Sequence, residues 1–209
     1  MPSTKTPDYW IKAKRALAKR DSILGSVIRS YRGEGLQLRR RGFQTLARAI
    51  VGQQISTKAA DSIWHRFHAA VIRVTPERVA LAPYDDLRSA GLSNAKVIYL
   101  HSLAAHFLEN AQQIRRWPQM DDEAIIAELV TVKGIGRWTA EMFLIFALGR
   151  PDVFPLDDLG LLRGIYRHYN EGQKLGRPQL IVIGDNWRPY RSLGTWYMWR
   201  VLDPVPVAY

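Results

Sequence analysis

The sequence predicts an all-α fold, because helical patterns follow one another along most of the chain and strand patterns are almost absent. Apolar residues recur at the three- and four-residue spacing of amphipathic helices, and capping residues precede several of these runs. Residues 180–183 are rich in β-branched side chains, but a single run of this length cannot build a sheet. The 209 residues, 47% of them hydrophobic, suffice for a buried core.

The expected helices begin at residues that can cap them. A Ser, Thr or Asp before a helix accepts a hydrogen bond from a backbone N–H of the first turn. Thr75 is such a cap, and it is followed by Pro76 at the first helical position. The helices expected in chain order are residues 9–20, a helix from Asp21 or Ser22 to Arg32, residues 43–51, a helix after Ser56, a helix after Thr75, residues 83–90, a long helix after Ser93 and a helix after Asp121 or Asp122.

The charge of the chain favours a polyanionic partner. The formal net charge is +11, and residues 1–50 hold 12 Lys and Arg against 3 Asp and Glu. Such a segment suits nucleic acid, with a solvated basic surface as the alternative and an anionic membrane surface as a weaker third. The absence of cysteine excludes disulfides, thiolate zinc sites and iron–sulfur clusters. No apolar run approaches the ~20 residues that span a bilayer, so we expect no membrane partner.

Residues 129–140, LVTVKGIGRWTA, predict two helices joined by a tight hairpin. Gly134 and Gly136 lack Cβ atoms, so the backbone can come close to a ligand. The second helix begins with free N–H groups and a positive dipole end, which together suit a phosphate. Lys133 and Arg137 add positive charge beside this site. A tight turn between helices that binds nothing is the alternative.

This segment resembles the helix-hairpin-helix motif, and the chain is similar to the HhH-GPD superfamily of DNA glycosylases over most of residues 9–200. Residues 43–60, residues 91–96 (GLSNAK) and residues 187–192 (WRPYRS) carry further parts of the resemblance. We predict two helical subdomains, one of about residues 40–145 that ends in the hairpin and one of about residues 1–39 plus 146–209. A central cleft between them is expected to hold a base flipped out of double-stranded DNA.

Residues 153–163, VFPLDDLGLLR, resemble the family segment that carries the catalytic aspartate at the start of a helix. Asp158 fits the family pattern, with Leu161 three positions later and Arg163 five positions later, whereas Asp157 is expected to be the helix cap or a neighbour that restrains Asp158. Breaking an N-glycosidic bond builds positive charge on the deoxyribose. A fixed carboxylate stabilises that charge and can orient or deprotonate water. A pair of aspartates that only caps a helix is the alternative.

Trp138 indicates the class of glycosylase. Members that also cleave the strand use a Lys at the matching position, so the resemblance implies that water is the nucleophile here and that lyase activity is absent. The 3-methyladenine DNA glycosylase II branch resembles this chain in the residues GIGRWTAE. An aromatic face attracts a cationic alkylated purine, such as 3-methyladenine or 7-methylguanine, by about 0.5–2 kcal/mol. Ordinary core packing is the alternative for Trp138.

The candidate site residues follow from these segments. Asp158 is the candidate catalytic residue, and Ile55 is a candidate both for a wedge in the gap left by the flipped base and for a core position. The candidate base-pocket residues are Trp138, Met142, Trp187 and Tyr190. The candidate DNA contacts are Gln53, Gln54, Ile55, Ser56, Lys96, Lys133, Gly134, Ile135, Gly136, Arg137 and Thr139, with Ile135 also expected to anchor the hairpin in the core.

Two other functions stay open at this stage: a DNA-binding module without activity, and a glycosylase for uracil, hypoxanthine or an oxidised purine. We expect no cofactor, apart from a monovalent cation that hairpin carbonyls can bind. His65 and His68 have helical spacing but lack the carboxylates or cysteines that would complete a metal site. We expect a monomer in the bacterial cytoplasm, at the nucleoid, or in a nucleus, with DNA binding that is salt-sensitive.

Overall fold

A computed structural model describes residues 6–31, 33, 35–39 and 42–202. Within these residues the chain is all-α, as predicted, with thirteen α-helices and no β-strand. A 3-10 turn at Trp117–Gln119 and a π-helical segment at Leu144–Leu148 complete the regular structure. The α-helices are α1 (Trp10–Arg20), α2 (Ser22–Ser30), α3 (Gly42–Gly52), α4 (Thr57–Val71), α5 (Pro76–Leu81), α6 (Tyr84–Ser89), α7 (Asn94–Glu109), α8 (Ala111–Arg116), α9 (Asp122–Leu129), α10 (Arg137–Phe143), α11 (Leu159–Tyr169), α12 (Arg177–Asn186) and α13 (Arg191–Arg200).

The described residues fall into two compact units. The first joins those of Met1–Arg39 to those of Leu144–Ala208, and we call it the aspartate unit because it holds Asp158. The second consists of those of Arg40–Phe143, and we call it the hairpin unit. The β-branched run at residues 180–183 lies inside α12 of the aspartate unit. None of the helices in the described part of the chain combines the length and apolarity needed to cross a membrane.

Side-chain caps explain where many of the helices begin. Asp21, rather than Ser22, caps α2, since its Oδ1 accepts a hydrogen bond from Leu24 N at 2.9 Å. Helix α2 ends at Ser30, and the end expected at Arg32 lies outside the described residues. The other predicted caps are confirmed at Ser56, Thr75, Ser93 and Asp121. Each cap satisfies an N–H that the helix itself leaves unpaired.

A row of aromatic rings ties together the helices of the hairpin unit. Phe43 of α3 meets Phe107 of α7, which meets Trp117, which in turn meets Phe143 of α10. The three pairs are edge to face, with centroids 5.3, 5.6 and 5.3 Å apart. Such pairs contribute about 0.5–1.5 kcal/mol beyond the burial of their area. The row fixes α3, α7 and α10, whose ends carry most of the candidate DNA contacts.

Helices α11 and α13 of the aspartate unit pack so closely that glycine is required between them. A Cβ atom on Gly164 would overlap the carbonyl oxygen of Met198. A Cβ atom on Gly160 would lie 2.9 Å from Cδ1 of Trp199. The two glycines are four residues apart and therefore lie on the same face of α11. Their lack of side chains sets how near α13, and with it Trp199, comes to the start of α11.

Asp21 connects several segments of the aspartate unit. Besides capping α2, its buried carboxylate accepts hydrogen bonds at Oδ2 from Tyr169 Oη at 2.7 Å and from Trp187 Nε1 at 3.0 Å. Burial, with the hydrogen bond from its own hydroxyl to Asp21, raises the pKa of Tyr169.

The prediction that Trp187 lines a base pocket is corrected: the indole is fully buried, packs against Phe154 and Tyr169, and donates its N–H to Asp21.

Replacing Asp21 with Ala is expected to lower the free energy of unfolding by about 2–4 kcal/mol, because it removes a cap and leaves buried donors unpaired. Tyr169→Phe removes one of those donors and leaves the rest of the cluster, so we expect a loss of about 1 kcal/mol. Urea unfolding followed by circular dichroism measures both. A loss in Asp21→Ala no larger than in Tyr169→Phe would contradict the role of Asp21 as the connecting residue.

Candidate active site and nucleic-acid interface

The hairpin between α9 and α10 uses its two glycines for different purposes. Gly134 has a φ of +84°, and a Cβ atom there would overlap the ring of Tyr99. Gly136 precedes α10 and has no atom within 4 Å of the place where a Cβ would stand. Ile135 is buried, so the predicted anchor of the hairpin is confirmed. Gly134 therefore serves conformation and packing, whereas Gly136 keeps the start of α10 open.

An open depression of about 390 Å³ lies beside the hairpin. Three segments that are distant in sequence line it: the hairpin, the turn after α3 and the first turns of α7. Because the start of α10 follows a glycine, no side chain at that position caps its N–H groups, and such groups suit an anion. The depression brings together the predicted DNA contacts Gln53, Gln54, Lys96, Gly134, Ile135 and Gly136, and adds Tyr99.

Arg137 is engaged in ion pairs instead of presenting a free charge. Its Nη1 donates to Oε2 of Glu123 at 2.9 Å, and its Nε donates to Oε1 of Glu141 at 3.1 Å. The hydrogen bonds between Arg137 and Glu123 raise the pKa of the guanidinium and lower the pKa of the carboxyl group. Lys133 is exposed, and its side chain has no partner among the described residues. Of the two cations predicted beside the hairpin, Lys133 is the unpaired one.

Lys96, predicted to contact a phosphate, donates hydrogen bonds to backbone carbonyls instead. Its Nζ lies 2.8 Å from the carbonyl oxygen of Val51 and 2.8 Å from that of Gln53. The side chain of Gln53 reaches the hairpin, where Nε2 donates to the carbonyl oxygen of Gly134 at 2.8 Å. Burial lowers the pKa of Lys96. The turn after α3 is thus bonded both to α7 and to the hairpin.

The rest of this turn is exposed. Gln54 has a φ of +58°, a backbone region that side chains other than glycine rarely adopt. Ile55 is 36% exposed, so the structure places it at the surface rather than in the core. Ser56 caps α4, with its Oγ accepting from Ala59 N at 3.3 Å. The turn therefore presents two adjacent side chains, Gln54 and Ile55, to solvent.

The candidate base-pocket residues of α10 differ in exposure. Trp138 is 38% exposed, which is more than a core residue would show. Met142 and Thr139 are buried, so the pocket role expected of Met142 is corrected, and a DNA contact of Thr139 stays a prediction for its backbone N–H. The reason is that only the first residues of α10 face solvent. In the aspartate unit, Tyr190 is half-buried and stacks on Tyr9, with ring centroids 6.1 Å apart.

Asp158 is the cap of α11 and is held by two donors at one oxygen. Its Oδ1 accepts hydrogen bonds from Leu161 N at 2.6 Å and from Trp199 Nε1 at 2.7 Å, and the residue is 6% exposed. The helix N-terminus and the N–H donors stabilise negative charge at this position. The expectation that Asp157 is the cap is wrong: its exposed carboxylate pairs with Arg177 at 3.3 Å.

Trp199 belongs to the candidate site, although no motif in the sequence indicates it. Its indole stacks on Phe146, with centroids 5.8 Å apart and planes inclined by 13°, and it donates to Asp158. The glycine two positions after Asp158 was a signal of close packing, because a Cβ on Gly160 would lie 2.9 Å from Cδ1 and 3.2 Å from Nε1 of Trp199. A lone glycine does not say which residue fills the space above it.

The described residues contain no group of three or more His, Cys, Asp and Glu side chains that could hold a metal ion. His65 and His68 are both exposed on α4. A monovalent cation on the hairpin carbonyls stays a prediction.

Known proteins resemble this chain in sequence and in fold. A family model described as HhH-GPD superfamily base excision DNA repair protein matches residues 47–180. DNA-3-methyladenine glycosylase 1 of Schizosaccharomyces pombe is 31% identical over 182 residues, covering 85% of this chain and 79% of that protein. The chain spans 66% of the length of two further relatives, the putative DNA-3-methyladenine glycosylase YfjP of Bacillus subtilis and the DNA-3-methyladenine glycosylase of Saccharomyces cerevisiae.

Two solved structures are similar as well. The crystal structure of a DNA-3-methyladenine glycosidase from Bacillus halodurans has a TM-score of 0.83 and 33% identity, covering 90% of this chain and 88% of that one. The 3-methyladenine DNA glycosylase of Schizosaccharomyces pombe in complex with abasic DNA has a TM-score of 0.72 and 27% identity, covering 90% of this chain and 95% of that one.

Substituting the two hairpin glycines should separate stability from ligand access. Gly134→Ala is expected to lower the free energy of unfolding by more than about 2 kcal/mol, because the left-handed backbone and the Tyr99 ring oppose a Cβ. Gly136→Ala should change it by less than about 1 kcal/mol, yet weaken duplex binding by obstructing the start of α10. Thermal melts and fluorescence anisotropy measure the two effects. Equal destabilisation by both substitutions would contradict the distinction.

Proposed function

Because the chain belongs to the HhH-GPD superfamily of base excision DNA repair proteins, and within it to the 3-methyladenine DNA glycosylase branch, we propose that it is a monofunctional DNA glycosylase that excises alkylated purines such as 3-methyladenine and 7-methylguanine. The observation that carries the chemistry is Asp158, a buried carboxylate fixed by Leu161 N and Trp199 Nε1. A module that only binds DNA would not need such a group. Relatives named for 3-methyladenine favour alkylated purines over uracil or oxidised purines.

Double-stranded DNA is the proposed partner, and we propose that the hairpin binds it. The N–H groups at the start of α10 would bind a backbone phosphate, and the exposed ammonium of Lys133 would add its charge. The likeness to a glycosylase bound to abasic DNA supports this partner. One chain supplies every group in the scheme, so we propose that it acts as a monomer, in a compartment that holds DNA, the nucleoid or the nucleus.

In the proposed reaction the bond between C1′ and the nitrogen of the flipped base breaks, and its electron pair leaves with the base. An alkylated purine is cationic before this step and leaves neutral. The positive charge that builds on the deoxyribose is stabilised by the carboxylate of Asp158. The oxygen of a water molecule then bonds to C1′, and the proton it loses passes to Asp158 or to solvent, which leaves an abasic site.

Trp138 is proposed as the surface on which the cationic base stacks. Trp138 is 38% exposed at the start of α10, so a ligand can reach part of its aromatic side chain. The residue also carries no amine. A Schiff base with the sugar is therefore not expected from this position, and the strand should stay intact after base release.

Asp158→Asn is expected to lower the single-turnover rate of base release from methylated duplex DNA by about 10²–10³-fold, because the amide carries no charge to stabilise the sugar cation. Asp157→Asn is the matched control, since Asp157 is exposed and bonded only to Arg177 among the described residues. Duplex binding should be kept in both variants. Parent-like release by Asp158→Asn, or strand cleavage by the parent without alkali, would contradict the proposal.

Trp138→Ala is expected to lower the excision of cationic 7-methylguanine by about 3–30-fold, while the excision of neutral hypoxanthine falls less, because a cation gains about 0.5–2 kcal/mol from an aromatic face. Trp138→Phe keeps a ring and should retain most of the activity on both. Rates of base release under single-turnover conditions give the comparison. Equal losses for the charged and the neutral base would show that Trp138 acts by packing alone.

A further inference from the structure

We propose that Lys96 is a positioning residue for the turn of residues 53–56, and not a ligand of DNA phosphate. Lys96 holds this turn against the hairpin. Gln54 and Ile55 are thereby presented to the gap that a flipped base leaves. This inference rests on the proposed function for the use of the turn. The contacts that carry it all lie within the hairpin unit.

The ammonium of Lys96 already has two strong acceptors. It has three donor N–H groups, and two of them point to carbonyl oxygens at 2.8 Å, those of Val51 and Gln53. These carbonyls belong to the end of α3, where a helix leaves its last C=O groups unpaired and its dipole is negative. Lys96 therefore caps the C-terminus of α3 and bonds the backbone on both sides of Gly52.

Lys96 stands on a rigid base. It lies in the first turn of α7, whose cap Ser93 accepts a hydrogen bond from Lys96 N at 3.3 Å. The next residues that face the core, Val97 and Leu100, are fully buried. Burial of the ammonium itself lowers the pKa of Lys96, which agrees with a group placed against backbone rather than in open solvent.

The turn held by Lys96 is also hydrogen-bonded to the hairpin. The carbonyl of Gln53 accepts from Lys96, while its side-chain amide donates to the carbonyl of Gly134 at 2.8 Å. The next residue, Gln54, has a φ of +58°. An unfavourable conformation of this kind persists only where the surroundings determine it, and here Lys96 and Gly134 fix one side while the Ser56 cap fixes the other.

Lys133 offers a matched comparison within the same unit. It lies on the hairpin itself, is exposed, and has no side-chain partner among the described residues. Its ammonium is therefore free for a phosphate, whereas that of Lys96 is bonded to the protein. The two lysines should consequently differ in how their loss changes the salt dependence of binding and the geometry of the DNA gap.

The first readout is the salt dependence of affinity for an undamaged duplex, compared between Lys96→Met and Lys133→Met. A lysine that neutralises one phosphate contributes about 0.9 to the slope of log K against log salt. We expect Lys133→Met to lose about this amount and Lys96→Met to keep the slope of the parent. Thermal melts confirm that each variant is folded at the temperature of the assay.

The second readout is the fluorescence of 2-aminopurine placed opposite an abasic-site analogue, measured at saturating protein. We expect Lys96→Met to reduce the fluorescence change to less than about half of the parent value. Lys96→Arg should restore the signal, because a guanidinium can donate to both carbonyls. Saturation removes any effect of a reduced folded fraction, so loss of stability alone would not change the amplitude.

A slope lowered in Lys96→Met as much as in Lys133→Met, with an unchanged aminopurine signal, would overturn the inference and make Lys96 a phosphate ligand. If Lys96→Met does not fold, Lys96→Gln takes its place, because its amide N–H groups can still donate to these carbonyls. We then expect the salt slope of the parent and a smaller reduction of the aminopurine signal. Absence of base release by the parent, with both binding readouts as expected, would count against the proposed function and leave the role of Lys96 standing.

Discussion

The hydrogen bond from Trp199 to Asp158 depends on the near contact of α11 and α13, and much of the candidate active site follows from it. Only glycine fits at positions 160 and 164, because Met198 and Trp199 occupy the space where side chains would stand. The indole then reaches the same oxygen that caps α11, so the carboxylate is held by a local and a distant donor at once. A group fixed in this way needs no reorganisation when charge develops opposite it.

Helix ends provide the polar groups of both candidate sites. The N-terminus of α11 is capped by Asp158, and the C-terminal carbonyls at the end of α3 are bonded by Lys96. The N-terminus of α10 differs from these two ends, because Gly136 precedes it and has no side chain that could cap its N–H groups. Two of these helix ends are thus satisfied by side chains of the protein itself, and the third is suited to an external anion.

The sequence was sufficient for features that depend on neighbours along the chain. The all-α fold, most of the caps and the buried Ile135 follow from local patterns, and the place of Asp158 at a helix start follows from the family resemblance. Contacts between residues that are far apart along the chain could not be predicted from the sequence. Trp187 bonds to Asp21, 166 positions away, and Trp199 bonds to Asp158, 41 positions away; nothing in the flanking residues specifies either pairing. Residues 139–147, in α10 and the segment after it, are all buried although Thr139 and Glu141 are polar, so the pattern of apolar residues did not separate Met142 from an exposed face.

The ion pairs of Arg137 determine how the hairpin meets a polyanion. With Glu123 and Glu141 beside the guanidinium, the local field is weaker than the sequence KGIGR suggests. Attraction over long distances would then come mostly from basic residues elsewhere, while in the proposed complex the hairpin would contribute the charge of Lys133 and backbone N–H groups that act only in direct contact. Long-range attraction of a duplex and its contact with the hairpin would therefore be separate steps. In the proposed function, a duplex attracted by the overall positive charge would slide along the protein until one phosphate meets the N–H groups of the hairpin.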